Sequence, residues 1–161
     1  MGLRLYRAGY KVAWVALWLL APLHRGRGRG VKAILTSGGR VLLVRHTYGP
    51  RRWEIPGGGL HRNETPIDGV RREIREELGV DLSHAAPITI GAGPRRESKR
   101  RMTYFTAEVD VDAIAPDRRE IACAQWHDPD ALPSPLGWQV ARAVDVWRRG
   151  AGSPPIDLPG I

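Results

Sequence analysis

The sequence predicts an α/β domain in which a mixed sheet lies between helices. Three observations carry this reading. Two short apolar runs rich in β-branched residues, 31–35 and 41–44, flank the turn residues Ser37, Gly38 and Gly39, the pattern of a β-hairpin. A longer stretch after Thr65 is bounded by helix start and stop signals. Beyond it, apolar runs return at 88–90, 101–109 and 121–126, and a helical repeat follows them. Strands, helix, strands and helix in that order imply layered α/β packing.

The chain opens with Arg4, Arg7 and Lys11, followed by the twelve-residue apolar run 12–23. That run is shorter than the ~18–20 residues needed to span a bilayer. Three readings of it are open: a helix packed on the domain or on the mate in a homodimer, a helix lying in an anionic membrane interface, or a signal segment. Tyr6, Tyr10, Trp14 and Trp18 with flanking cations suit the interface. No small-x-small cleavage site follows cleanly. Residues 24–30 alternate basic residues with glycine and read as a basic linker that a phosphate-rich surface would attract. The organisation expected is therefore an N-terminal apolar helix and linker at 1–29, one domain at 30–149 and a mobile Pro/Gly-rich tail at 150–161.

Within the domain, residues 53–55 read as a short strand leading into glycines 57–59. Thr65 suits a helix N-cap, Pro66 the first helical position and Asp68 the third. Gly79 closes the helix. Leu136, Val140, Ala143, Val144 and Trp147 recur at helical spacing and predict a terminal amphipathic helix.

At 161 residues, 42% hydrophobic and 26% charged, the chain is one globular domain in size. Its net charge of +8 and pI near 10.5 favour polyanionic partners, although an arginine-rich surface alone gives the same balance. The lone cysteine, Cys123, rules out an intrachain disulfide, suits a reducing, cytoplasmic setting and reads as a buried small hydrophobe. The five histidines show no zinc-site spacing, and neither a P-loop nor a dinucleotide fingerprint is present.

The helix bounded by Thr65 and Gly79 carries Glu73, Glu76 and Glu77, spaced i, i+3 and i+4, so the three share one face. Like charges that close repel by a few tenths of a kcal/mol, about 0.2–0.5 per pair. A face that gathers them suits a hard divalent cation, Mg²⁺ or Mn²⁺. The alternative is a solvated face braced by Arg71, Arg72 and Arg75.

Gly58, Glu64, Arg72, Glu73, Ile74, Glu76, Glu77, Gly79 and Val80 fill every defined position of the pattern Gly, five residues, Glu, seven residues, Arg-Glu-apolar-any-Glu-Glu-any-Gly-apolar. The stretch resembles the Nudix box, the signature of the Nudix (MutT-like) hydrolases. Residues 53–59 resemble the strand and glycine loop that precede the box, and 126–133 the family's late strand and exit turn. The resemblance covers roughly residues 30–149. It implies the Nudix α/β/α sandwich with a mixed central sheet, and metal-dependent cleavage of a diphosphate bond. It implies Glu73, Glu76 and Glu77 as metal ligands, with Glu76 and Glu77 first. It adds the Gly58 carbonyl as a ligand and Arg72 as the partner of Glu64, orienting the carboxylates. Glu120 stands where relatives place a further ligand or base; a plain surface acid is the alternative. Glu97, among five basic residues, reads as an ion-pair partner.

Substrate contacts are more weakly indicated. Arg45, His46, Arg52 and Trp53 precede the glycine loop, where a base or sugar could dock, though a tryptophan there is as often core. Arg95 and Arg96 open a basic run that could clamp a second phosphate or an RNA 5′ end. The reading that leads is hydrolysis of a nucleoside diphosphate linked to another moiety, of the ADP-ribose or nucleotide-sugar type. Pro94 lies one place from a proline of ADP-ribose-type relatives. Nucleoside triphosphates and 5′-triphosphorylated RNA follow. A non-catalytic nucleotide- or RNA-binding module and an isomerase on the same metal site are the readings from other classes. The intact set of box glutamates speaks against the module. The setting expected is cytoplasmic, peripheral at the membrane if the N-terminal run binds there.

Overall fold

The computed structural model describes residues 29–82, 88–94, 101–149 and 156–157, with 88–94, 101 and 156–157 described as backbone only. Residues 1–28, which hold the N-terminal run and most of the linker, Arg95 and Arg96, and most of the stretch after residue 149 lie outside the described residues.

The described elements are β1 (Arg29–Ser37), β2 (Arg40–His46), α1 (Pro66–Leu78), β3 (Ile88–Pro94), β4 (Arg101–Glu108), a 3₁₀ turn (Val111–Ala113), β5 (Ile121–His127), α2 (Val140–Arg148) and β6 (Ile156–Asp157). The six strands form one sheet in the order β5-β2-β1-β4-β3-β6. β1 pairs with β4 in parallel, from Arg29 opposite Arg101 to Thr36 opposite Glu108. β2 pairs antiparallel with β5, and β3 antiparallel with β4. β6, two residues of the tail, pairs in parallel with β3. The sheet is therefore mixed, as expected.

The strands alternate between two cores, as the period of two requires. Val31, Ala33 and Leu35 of β1, Leu42 and Val44 of β2, and Phe105 and Ala107 of β4 pack against Val70, Ile74 and Leu78 of α1. Ile34, Val41, Leu43, Met102 and Tyr104 point the other way, against Val140, Ala143 and Val144 of α2. The result is an α/β/α sandwich. Helix α1 starts and stops where its caps predict. The Thr65 hydroxyl accepts the Asp68 N–H at 3.3 Å, and Gly79, at φ +70°, donates its N–H to the Arg75 carbonyl.

Two predicted elements change. The terminal helix begins at Val140 rather than Leu136. Pro133, Pro135 and Gly137 break the helical pattern there, and Leu136 instead makes a parallel bridge with Trp53. The strand expected at 53–55 is reduced to isolated bridges, Val44 with Glu54 and Trp53 with Leu136.

That reduction positions the glycine loop. The β1–β2 hairpin pairs at Thr36 with Val41 and Ser37 with Arg40, and then its legs part. Residues 54–58 fill the gap. Glu54 exchanges N–H and carbonyl bonds with Val44 on one leg, while the carbonyls of Pro56 and Gly58 accept the N–H groups of Ala33 and Val31 on the other. Gly57, at φ +120°, leaves so little room that a Cβ would stand 2.5 Å from the Val31 carbonyl oxygen. Only glycine fits there. Gly57→Ala should lower stability by about 1–3 kcal/mol through backbone strain alone, with the clash adding to it. Denaturant melts of the variant and the parent check this, and an unchanged midpoint would show that the loop re-routes without cost.

Candidate active site

The site is built between the glycine loop and the polar face of α1. Its centre is Arg72, whose five N–H donors all have partners. Nε and Nη2 grip Glu64 bidentately, at 2.8 and 2.9 Å. Nη2 also reaches the Gly59 carbonyl at 2.9 Å. Nη1 bonds Glu73 at 2.8 Å and Glu76 at 3.1 Å. One guanidinium fork thus ties the loop to the helix and spans two carboxylates that would otherwise repel. Glu64 also accepts the His61 N–H at 2.8 Å. The Arg72 bond first, and that N–H second, hold its carboxyl down at about pKa 2, while Arg72 is held above its ordinary range mainly by Glu64.

The three helix carboxylates occupy different environments. Glu76 is the exposed one, with 58% of its side chain open to solvent. Glu73 is largely buried, and its carboxyl lies against Gly58, where a Cβ would meet it at 2.6 Å. Burial raises the Glu73 pKa, and Arg72 opposes the rise. Glu77 is buried at 3% exposure and accepts the Gly57 N–H at 2.8 Å. Burial pushes it up to about 7, against the opposing pull of Lys32 and the Gly57 N–H and with the added push of Glu73 and Glu120. The Gly58 carbonyl accepts the Val31 N–H at 2.9 Å, which leaves its second lone pair.

Glu120 reaches this region through the end of the helix. The last turn of α1 leaves carbonyls without helical partners. The N–H groups of Ala115 and Asp117 satisfy the carbonyls of Leu78 and Glu77, at 2.7 and 2.9 Å. The loop so docked carries Glu120, whose own carbonyl accepts the Thr47 N–H at 2.8 Å. Its charge is close enough to Glu77 to disfavour ionisation there.

Of the residues singled out for substrate contact, His46 is in the cluster. Its Nδ1 approaches Glu77 to 4.0 Å, too far for a hydrogen bond, and has no hydrogen-bond partner. Burial, reinforced by Lys32, lowers its pKa to about 4, so it faces Glu77 as a neutral ring and the contact is not an ion pair near pH 7. Trp53 is a correction. It is 6% exposed inside the α2-side core, with the Arg45 guanidinium 4.5 Å over its ring and His127 against it edge-on at 4.8 Å. The ring is a core element that holds Arg45, and no open face is left for a base. Arg52 is exposed. Arg95, Arg96 and Glu97 lie outside the described residues.

One residue escaped the sequence reading. Lys32, half-buried in β1, donates to the carbonyls of Ile55 at 2.7 Å and Gly57 at 2.8 Å. The signal was present: a single cation inside the apolar run 31–35 is out of place unless something polar receives it. Among the described residues, no three acidic, histidine or cysteine side chains already converge on one point as a metal cage. The carboxylates line one helix face, with Arg72 between two of them.

The comparisons with known proteins agree with this architecture. The model of the NUDIX domain matches residues 25–147. The chain is 34% identical over 132 residues to the NAD-capped RNA hydrolase NudC of Pseudomonas aeruginosa, an alignment covering 79% of this chain and 46% of that one. It thus spans about half the length of that relative. It is 29% identical over 137 residues to the putative 8-oxo-dGTP diphosphatase 2 of Mycobacterium tuberculosis, covering 74% of this chain and 95% of the other. The crystal structure of a MutT NUDIX hydrolase from Burkholderia pseudomallei superposes with a TM-score of 0.64 at 24% identity, over 74% and 97% of the two chains, and shares the fold. With its signature intact and the domain model matching most of its length, the chain belongs to the NUDIX family.

Proposed function

We propose that this chain is a divalent-metal-dependent pyrophosphohydrolase that cleaves a diphosphate bond in a nucleotide-type substrate. The observation that carries the proposal is Glu77: a buried carboxylate of raised pKa, beside Glu73 and within the field of Glu120. Such a cluster is costly unless a further cation joins it. Its donors are hard oxygens of the kind Mg²⁺ and Mn²⁺ take. Glu73, Glu76 and Glu77 would hold the ion, with the Gly58 carbonyl beside them. When bound, the ion supplies neutralisation of the diphosphate oxygens and a water acidified by the metal charge.

The chain's own residues do the rest. Arg72, anchored on Glu64, fixes the rotamers of Glu73 and Glu76. The Gly57 N–H orients Glu77. Glu120, on the docked loop, stands ready to accept a proton from the attacking water.

A nucleoside diphosphate joined to a second moiety, of the ADP-ribose or nucleotide-sugar type, is the substrate class we favour. The NAD-capped RNA named for the Pseudomonas relative is also a diphosphate between two moieties. The RNA 5′ end is the second reading, favoured by the net charge of +8 and by 37% identity over 76 residues to an RNA pyrophosphohydrolase of Halorhodospira halophila. Nucleoside triphosphates are the third. We place action at a membrane surface through the N-terminal run, and pairing into a homodimer, behind these readings. Among the described residues no helix is long and apolar enough to cross a membrane.

A Mg²⁺ assay on ADP-ribose, nucleotide sugars, nucleoside triphosphates and 5′-triphosphorylated RNA tests the proposal. Activity should fall more than about 100-fold, beyond the usual effect of outer-shell changes, in the double variant Glu76→Gln/Glu77→Gln. Full activity in that variant would remove the metal assignment. Glu120→Gln should lower kcat by about 10²–10⁴ while Mn²⁺ affinity holds, if Glu120 is the base. Unchanged turnover would return it to the surface acids. The Arg72–Glu64 clamp predicts a pH dependence of stability. Glu64 titrates near 2 when folded, below its ordinary 4.5. Its contribution is therefore full above pH 4.5 and disappears as pH falls towards 2. Thermal melts should put Glu64→Gln several degrees below the parent at pH 7, with the gap closing across that window. A gap independent of pH would mean that the clamp is not the source.

A further inference from the structure

Lys32 is a cation of the site that lies outside the Nudix signature, and its setting is unusual for a lysine. The residue lies in the middle of a central strand, and its ammonium bonds the carbonyls of Ile55 and Gly57 at 2.7 and 2.8 Å. The Gly57 residue is thereby gripped from both sides, its carbonyl by Lys32 and its N–H by Glu77 at 2.8 Å. The ammonium and the Glu77 carboxylate are thus bonded to the two ends of one residue, and the next residue, Gly58, lies against the Glu73 carboxyl. A strongly hydrated ammonium is an expensive group to place in a half-buried site merely to anchor a loop.

We propose that Lys32 is a resident counter-cation of the carboxylate cluster, a positioning residue that weakens the cluster's hold on a divalent ion and so keeps that ion exchangeable until substrate phosphate oxygens join the ligand set. The inference rests on the metal-site reading above. A fixed positive charge one residue's width from Glu77 repels an arriving divalent ion and supplies part of the neutralisation that a second ion would bring. A lysine that acted only as a loop anchor would have the opposite effect: its loss would loosen Gly57 and Glu77 and weaken metal binding.

Mn²⁺ titration of the full chain, followed by electron paramagnetic resonance, separates the two by sign. Lys32→Met should bind Mn²⁺ about tenfold more tightly than the parent, and Lys32→Arg, which keeps the charge, should bind it about as the parent does. Thermal melts confirm that the variants are folded. If Lys32→Met does not fold, Lys32→Gln, which retains donors for the two carbonyls, gives the same comparison. Equal or weaker Mn²⁺ binding in the neutral variants, with the parent binding normally, overturns the role of Lys32 and leaves the metal site standing. A parent that binds no Mn²⁺ overturns both.

Discussion

The site depends on one guanidinium. Arg72 sits on the helix, yet two of its five N–H bonds run to Glu64 and one to Gly59, across a separation of eight and thirteen residues. The other two hold Glu73 and Glu76. Without this fork, Glu73 and Glu76 would lose their shared cation, and the Gly57–Glu77 bond would be left to register the helix against the loop. Lysine, a point charge with three donors, could not make the same set of planar contacts. The pattern Glu, seven residues, Arg-Glu therefore has a mechanical meaning: it sets the reach from loop carboxylate to helix fork.

The second constraint is the way the sheet opens to receive the loop. Because β1 and β2 part after two residue pairs, backbone amides of Val31 and Ala33 remain to bind the loop carbonyls. Helix α1 lies below with Val70, Ile74 and Leu78 in the core. Glu77 is adjacent to Leu78, so it stands at the border between core and site. Its burial is imposed by that position, and its raised pKa follows from burial.

Much of this was legible in the residues. The caps Thr65 and Gly79 act locally, so α1 could be bounded without knowledge of the fold. The apolar runs at 31–35, 41–44 and 101–109 marked β1, β2 and β4 as strands, and the structure divides their side chains between two cores. The terminal helix was misplaced at its start because Leu136 continues the apolar spacing through a segment that Pro133, Pro135 and Gly137 keep out of the helix. Trp53 could not be assigned from sequence, since an aromatic before a loop suits a core and a stacking surface alike. Its place was decided by Arg45, His127 and Leu136, which come from three other parts of the chain. The approach of Glu120 to Glu77 likewise depends on a loop docking on a helix end, an event that no local pattern encodes. Lys32 was visible as an anomaly, but its receptors, the carbonyls of Ile55 and Gly57, are backbone groups and carry no sequence signal.

The parallel pairing of β1 with β4 has a consequence for how the molecule comes into being. Thr36 bonds Glu108 across 72 residues of chain, and that strand pair lies along the edge of β1 opposite the loop. During synthesis the entire signature, from Gly58 to Val80, emerges before any of β4 exists. A nascent chain at that stage holds every signature residue but lacks half the support of the strand on which the loop is built. Long-range pairing of this kind is slow to form. The strand that carries the loop therefore gains its second neighbour only once Arg101 and the residues after it have been made.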